Sequence, residues 1–197
     1  METVIHKTSN KNIIQYTTSS ARYYHLVNQD IFLPSVTYIL ECYPFADALK
    51  NFLVVEGSNA KNKLEEAGVR GSKIHNAIAD LLRGKAVSYN SLYWNEIILK
   101  DEELTPDEWR SVNYFVNWYN QISIQKIISI EKTIYNINQG YAGTIDLICR
   151  IKDKIWLIDF KTGKGIYRQY WLQVAAYEKA VRGKIDKLGL LHIGAKN

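Results

Sequence analysis

From residue 127 onward the apolar residues no longer recur at helical spacing; they alternate or run together, and this change of period constrains the fold more than any other feature of the chain. Residues 127–137 (IISIEKTIYNI), 143–151 (GTIDLICRI) and 154–161 (KIWLIDFK) are rich in isoleucine and read as three strands. Only Lys152 and Asp153 separate the last two, which predicts an antiparallel hairpin about a two-residue turn. In that register Asp146 faces Asp159 and Thr144 faces Lys161, on a face shared with Ile148, Arg150, Leu157 and Ile155. The other face sets Ile145, Leu147, Cys149 and Ile151 against Phe160, Ile158, Trp156 and Lys154, and is expected to be core.

Upstream, the pattern is helical. Leu33–Tyr43 (LPSVTYILECY) predicts a short helix capped by Ser35 or Thr37. Residues 71–83 place Ile74, Ile78, Leu81 and Leu82 on one helix face, with Gly84 as terminator. Residues 105–122 open with a capping box, Thr105 and Glu108, around Pro106, and carry an apolar stripe of Trp109, Val112, Val116 and Tyr119. A helix over 166–181 and a last strand over 188–194 follow the hairpin. The order predicts an α/β (α+β) chain whose mixed sheet is flanked by helices. Residues 1–32, polar with scattered tyrosines, are expected to pack loosely. Residues 33–197 are expected to form one domain, mainly helical over 33–125 and carrying the sheet over 126–197.

The bulk numbers exclude some classes. The 197 residues contain no apolar run near the ~20 needed to span a bilayer. The first residues lack the apolar stretch of a secretory signal, so an intracellular, cytoplasmic protein is expected. Two distant cysteines, Cys42 and Cys149, suit neither a disulfide framework nor a metal cluster and read as small buried hydrophobes. The net charge of +5 is compatible with a polyanionic partner.

Chemistry enters with the opposed acids. Directly facing carboxylates repel and destabilise a sheet unless positive charge sits between them. Lys161, on the same face two residues beyond Asp159, is one source of that charge. A hard cation such as Mg²⁺, which takes oxygen ligands, is the other. Metal and ammonium together form a hydrolytic set for phosphate chemistry. The plainer alternative is a pair of solvated strand-end acids with an ordinary surface lysine.

Gly140–Ile148 (GYAGTIDLI) followed by Asp159–Gly163 (DFKTG) resembles the PD-(D/E)XK nuclease superfamily, in particular its RecB-like branch. That branch, which includes the mitochondrial genome maintenance exonuclease and the CRISPR-associated RecB-like nucleases, shows a G-x-x-D strand, a D-x-K strand and then Q-x-x-x-Y on a helix, here Gln173 and Tyr177. Many members carry an upstream helical histidine, matched by His75, and LPSVT resembles the branch's opening. The likeness spans roughly 33–193. It implies a restriction-endonuclease-like core binding one or two Mg²⁺ or Mn²⁺ ions through Asp146, Asp159, the Phe160 carbonyl and His75. Lys161 is implied as the catalytic lysine. Glu131, placed at the start of the first core strand, is a further candidate ligand. The cysteine cluster that holds an iron–sulfur centre in some relatives is missing, so no such centre is expected.

The resemblance also implies that Gln173 and Tyr177 line the site, contacting DNA or orienting Lys161; the alternative is simple packing of a helix on the sheet. Lys164, Tyr167 and Arg168 are candidates to grip phosphates or stack a base. The implied activity is magnesium-dependent hydrolysis of DNA, exonucleolytic on single strands or duplex ends. An endonuclease on the same core and a catalytically silent nucleic-acid-binding protein are the alternatives. His6, His25 and His192 carry no assignment.

Overall fold

The computed structural model describes residues 3–18, 21–43 and 47–194 of the chain. It is a mixed α+β protein, and no helix among the described residues is long and apolar enough to cross a membrane. The chain divides into two compact units. One comprises Met1–Pro44, Gln125–Asp159 and Tyr167–Gly189; the other comprises Phe45–Ile124, Phe160–Ile166 and Leu190–Asn197.

In the first unit, residues expected to pack loosely form an antiparallel sheet in the order β1 (Val4–Lys7), β2 (Ile13–Thr17), β3 (Arg22–Leu26), β4 (Ile31–Pro34). Alternate residues point to one side, and Ile13, Tyr24, Leu26 and Leu33 are buried there against Ala142. A short helix α1 (Val36–Leu40) follows, capped by the Ser35 hydroxyl, which accepts from the Tyr38 backbone N–H. Of the two predicted caps, Ser35 is the one used.

The central meander is β7 (Ile124–Asn136), β8 (Tyr141–Ile151) and β9 (Lys154–Lys161). With β10 (Lys187–His192) these make a second four-stranded sheet, in the order β10-β9-β8-β7. β8 and β9 pair antiparallel in the expected register, from Leu147↔Ile158 to Ile151↔Lys154. Lys152 and Asp153 both adopt positive φ, 47° and 58°, as a primed two-residue turn requires. Gln125 holds that turn, its amide exchanging hydrogen bonds with the Asp153 N–H and side chain. Helix α5 (Arg168–Ala180) buries Gln173, Val174 and Tyr177. β9 leaves this unit after Asp159.

The second unit holds α2 (Asp47–Glu56), α3 (Ala60–Leu82), the hairpin β5 (Leu92–Asn95) and β6 (Lys100–Glu103), and α4 (Pro106–Gln121). α3 is much longer than the 71–83 segment read from the sequence. Its first turns are exposed and built of strong helix formers with a Lys61–Glu65 pair one turn apart, so they lack the apolar period. Gly84, at φ 79°, ends the helix as expected. The capping box of α4 is present in full. Its buried face, however, is Glu108, Ser111, Val112 and Phe115, rotated from the predicted stripe; Trp109, Val116 and Tyr119 are half-buried. The rotation follows from Lys73 on α3, which is 1% exposed and draws the Glu108 carboxylate inward at 2.9 Å. Lys73 also donates to the Glu103 carbonyl and lies 3.6 Å from Glu102. Of the cysteines, Cys149 is buried as expected and Cys42 is exposed.

Candidate metal centre

The register of the β8–β9 hairpin, carried one residue past Leu147↔Ile158, sets Asp146 opposite Asp159. Both side chains are buried, at 6% and 2% exposure, in mid-strand and away from the turn. Solvated strand-end acids they are not. Each carboxylate interrupts a run of buried apolar neighbours, and burying opposed charges without compensation is costly.

Tyr177 reports on both acids. Burial first, then the charges of Asp159, Tyr24 and Asp146, push its phenol well above the usual tyrosine range, and the Gln173 hydrogen bond opposes them only in part. The hydroxyl therefore stays protonated. Gln173 sits one turn before Tyr177 on α5, and its Nε2 donates to Asp159 Oδ1 at 3.0 Å and to the Tyr177 hydroxyl at 2.9 Å. One amide thus fixes one carboxylate and the phenol beside it. Both residues are buried, and Gln173 links Tyr177 to Asp159.

Close approach of that helix needs Gly143. A Cβ there would lie 2.4 Å from Tyr177 Cε1, a separation that real Cβ atoms essentially never show. On the facing sheet, the Tyr24 hydroxyl bonds to Thr144 Oγ1 at 3.1 Å. Tyr24 is itself raised, chiefly by burial, with the Glu131 charge adding to the shift.

Glu131 completes the acidic group. It lies well inside β7, not at its start, and adopts a left-handed φ of 49°. A non-glycine residue pays roughly 1 kcal/mol or more for that backbone, and such strain persists where the surroundings demand it. The kink brings a Glu131 carboxylate oxygen within 4.8 Å of one from Asp146. Oxygen donors in such a setting suit a hard divalent cation. Cys149 points to the opposite face of β8 from Asp146, and burial raises its thiol to about 11.

Beyond Asp159 the strand enters the second unit. Phe160 is 2% exposed, its ring edge-on to Phe115 at 5.4 Å and to His75 at 5.8 Å. His75 is a half-buried residue of α3. Lys161, also half-buried, ends β9, and its carbonyl accepts from the Ile193 N–H. The following turn is anchored by Arg70, which donates to the Thr162 carbonyl at 2.9 Å, and by His192 Nε2, 2.6 Å from the Gly163 carbonyl. Lys164 and Arg168 are exposed; Tyr167 is half-buried, its ring against Tyr170 at 5.5 Å.

Asp146, Asp159, Glu131, Gln173 and Tyr177 are therefore brought together within one unit. Tyr24 was not singled out from the sequence, where one of several tyrosines in a polar segment gives no signal. Gly143 stood in the sequence motif, but the reason for it is the Tyr177 ring. No protein-family model matches the chain, and no curated protein matches it.

Proposed function

We propose that this chain is a divalent-metal-dependent nuclease with a restriction-endonuclease-like core of the RecB-like PD-(D/E)XK kind, hydrolysing DNA phosphodiester bonds. The reading rests on one observation above the rest: two nearly inaccessible carboxylates set opposite each other by the hairpin register, one of them held by the Gln173 amide, with a third, from Glu131, close to Asp146.

Asp146, Asp159 and Glu131, all in one unit, would hold the ion. A bound Mg²⁺ or Mn²⁺ supplies positive charge against the phosphate and activates water. Lys161 positions the attacking water and offsets charge that develops on the phosphate oxygens. Gln173 and Tyr177 keep Asp159 in a single orientation, which matters because ligand-orienting partners tune affinity nearly as strongly as ligands do. Lys164, Tyr167 and Arg168 meet the substrate strand. The preferred mode is exonucleolytic, on single strands or duplex ends.

The test compares the parent chain with Lys161→Ala and Asp146→Asn on linear and closed circular single-stranded DNA, in Mg²⁺ and in Mn²⁺. Degradation of linear DNA by the parent alone is expected, with Mn²⁺ binding kept in Lys161→Ala and lost in Asp146→Asn. Cleavage of the circle replaces the exonuclease with an endonuclease. A parent chain as inert as Lys161→Ala refutes the enzyme altogether and leaves a binding protein.

A further inference from the structure

β7 is the outermost strand of its sheet, so one of its edges presents backbone groups that the sheet does not use. The turn between β1 and β2 comes down on that edge. Ser9 Oγ accepts the Thr133 backbone N–H at 2.8 Å. The turn is internally hydrogen-bonded: the Thr8 hydroxyl is shared between the carbonyls of Asn10 and Ile13, and Asn10 Oδ1 accepts the Asn12 N–H. Between turn and strand lies an open groove of about 630 Å³, lined among others by Lys11, Asn10, Ser129, Lys132 and Thr133. That is room for a nucleotide-sized group. Two lysines line it and no acid does, and Ser129 Oγ is buried with no hydrogen-bond partner among the described residues.

The groove adjoins the acidic group through a single peptide. Glu131 and Lys132 are consecutive residues of β7. We propose that this groove carries the sugar–phosphate backbone of a single nucleic-acid strand next to the cleaved bond, with Lys11 and Lys132 each on a phosphate; the assignment rests on the nuclease reading above. Cationic, hydroxyl-rich and preorganised, the groove matches the groups that contact phosphates without reading bases. It therefore predicts binding that does not depend on sequence.

Edge-strand lysines also serve to block strand addition. That role is indifferent to nucleic acid, so the two are separable. Affinity for a fluorescein-labelled single-stranded oligonucleotide would be measured by anisotropy in EDTA, across a salt series, for the parent, Lys11→Glu/Lys132→Glu and Lys11→Gln/Lys132→Gln. Circular dichroism would check that each variant is folded. Loss of two single-strand phosphate contacts lowers the slope of log affinity against log salt by about 1.4, with affinity at low salt falling at least roughly tenfold. The glutamine pair is expected to fall part of the way. An unchanged slope and affinity in the glutamate variant, alongside DNA cleavage by the parent in Mg²⁺, overturns the groove while sparing the nuclease. Binding that depends on both lysines in a parent that cuts nothing in Mg²⁺ or Mn²⁺ sinks the nuclease and retains the groove as a binding site. Equal displacement of the oligonucleotide by polyglutamate refutes the sugar–phosphate assignment.

Discussion

Replacing Gly143 by alanine adds one methyl group to β8, and its cost can be worked from the packing around it. The new Cβ would sit 2.4 Å from Tyr177 Cε1, whereas ordinary contact begins at 3.4 Å, so the ring must retreat by about 1 Å. It has little room to do so, being 3% exposed. The same movement stretches the 2.9 Å hydrogen bond from Gln173 beyond its useful range, a loss of about 1 kcal/mol. Overpacking adds about 1–3 kcal/mol, which puts Gly143→Ala at about 2–4 kcal/mol. For a chain of this length that lowers Tm by about 4–16 °C, read by circular dichroism. The backbone itself raises no objection, because Gly143 does not adopt a positive φ. The control is therefore Tyr177→Leu, which removes the obstructing ring. In that background the added methyl is expected to be neutral or slightly stabilising, giving a coupling energy of about 2 kcal/mol. An alanine at 143 as stable as glycine with Tyr177 intact, or an equal loss with leucine at 177, refutes the steric argument.

Gln173→Leu keeps the side chain's bulk but removes the donor to Asp159, and is expected to weaken Mn²⁺ binding about 10–100-fold by calorimetry; unchanged affinity contradicts the positioning role. Lys73→Ala strips the buried partner from Glu108 and is expected to cost about 3 kcal/mol in urea unfolding, with a loss below 1 kcal/mol counting against the buried pair. The Asp186 carboxyl is held below the usual aspartate range, first by the Ile155 N–H and then by Lys184. A depressed folded value stabilises above the unfolded one, so the parent should exceed Asp186→Asn at neutral pH, and the gap should close as pH falls below about 4. A gap that widens on acidification has the wrong sign for this account.

How far the chain could be read in advance varied with the kind of information each feature needs. The β8–β9 register was legible because a two-residue turn leaves no slack and because one face, Ile145 to Ile151, is uniformly apolar. Helix α4 declared its start through Thr105, Pro106 and Glu108, yet its buried face turned on Lys73, a partner more than thirty residues away that no local pattern indicates. The N-terminal sheet was missed because its strands are four or five residues long and mix aliphatic, aromatic and polar residues without a clean alternation, and only register shows that Ile13, Tyr24, Leu26 and Leu33 share a side. In the candidate site, Asp146 and Asp159 announced themselves through spacing, whereas Gln173 and Tyr177 stood out only through the motif resemblance. That the glutamine is committed to Asp159 required coordinates. So did the backbone at Glu131, since glutamate carries no preference for a left-handed conformation.

That backbone has a consequence for how the sequence can drift. Position 131 suits glycine or asparagine on conformational grounds alone. A population of variants sorted only for resistance to heat or protease should accumulate those two residues there. One sorted for turnover should retain the acid and bear the distortion. Parallel sorting of a single randomised codon would thus reveal whether that distortion is an accident of the strand or the mark of a working carboxylate.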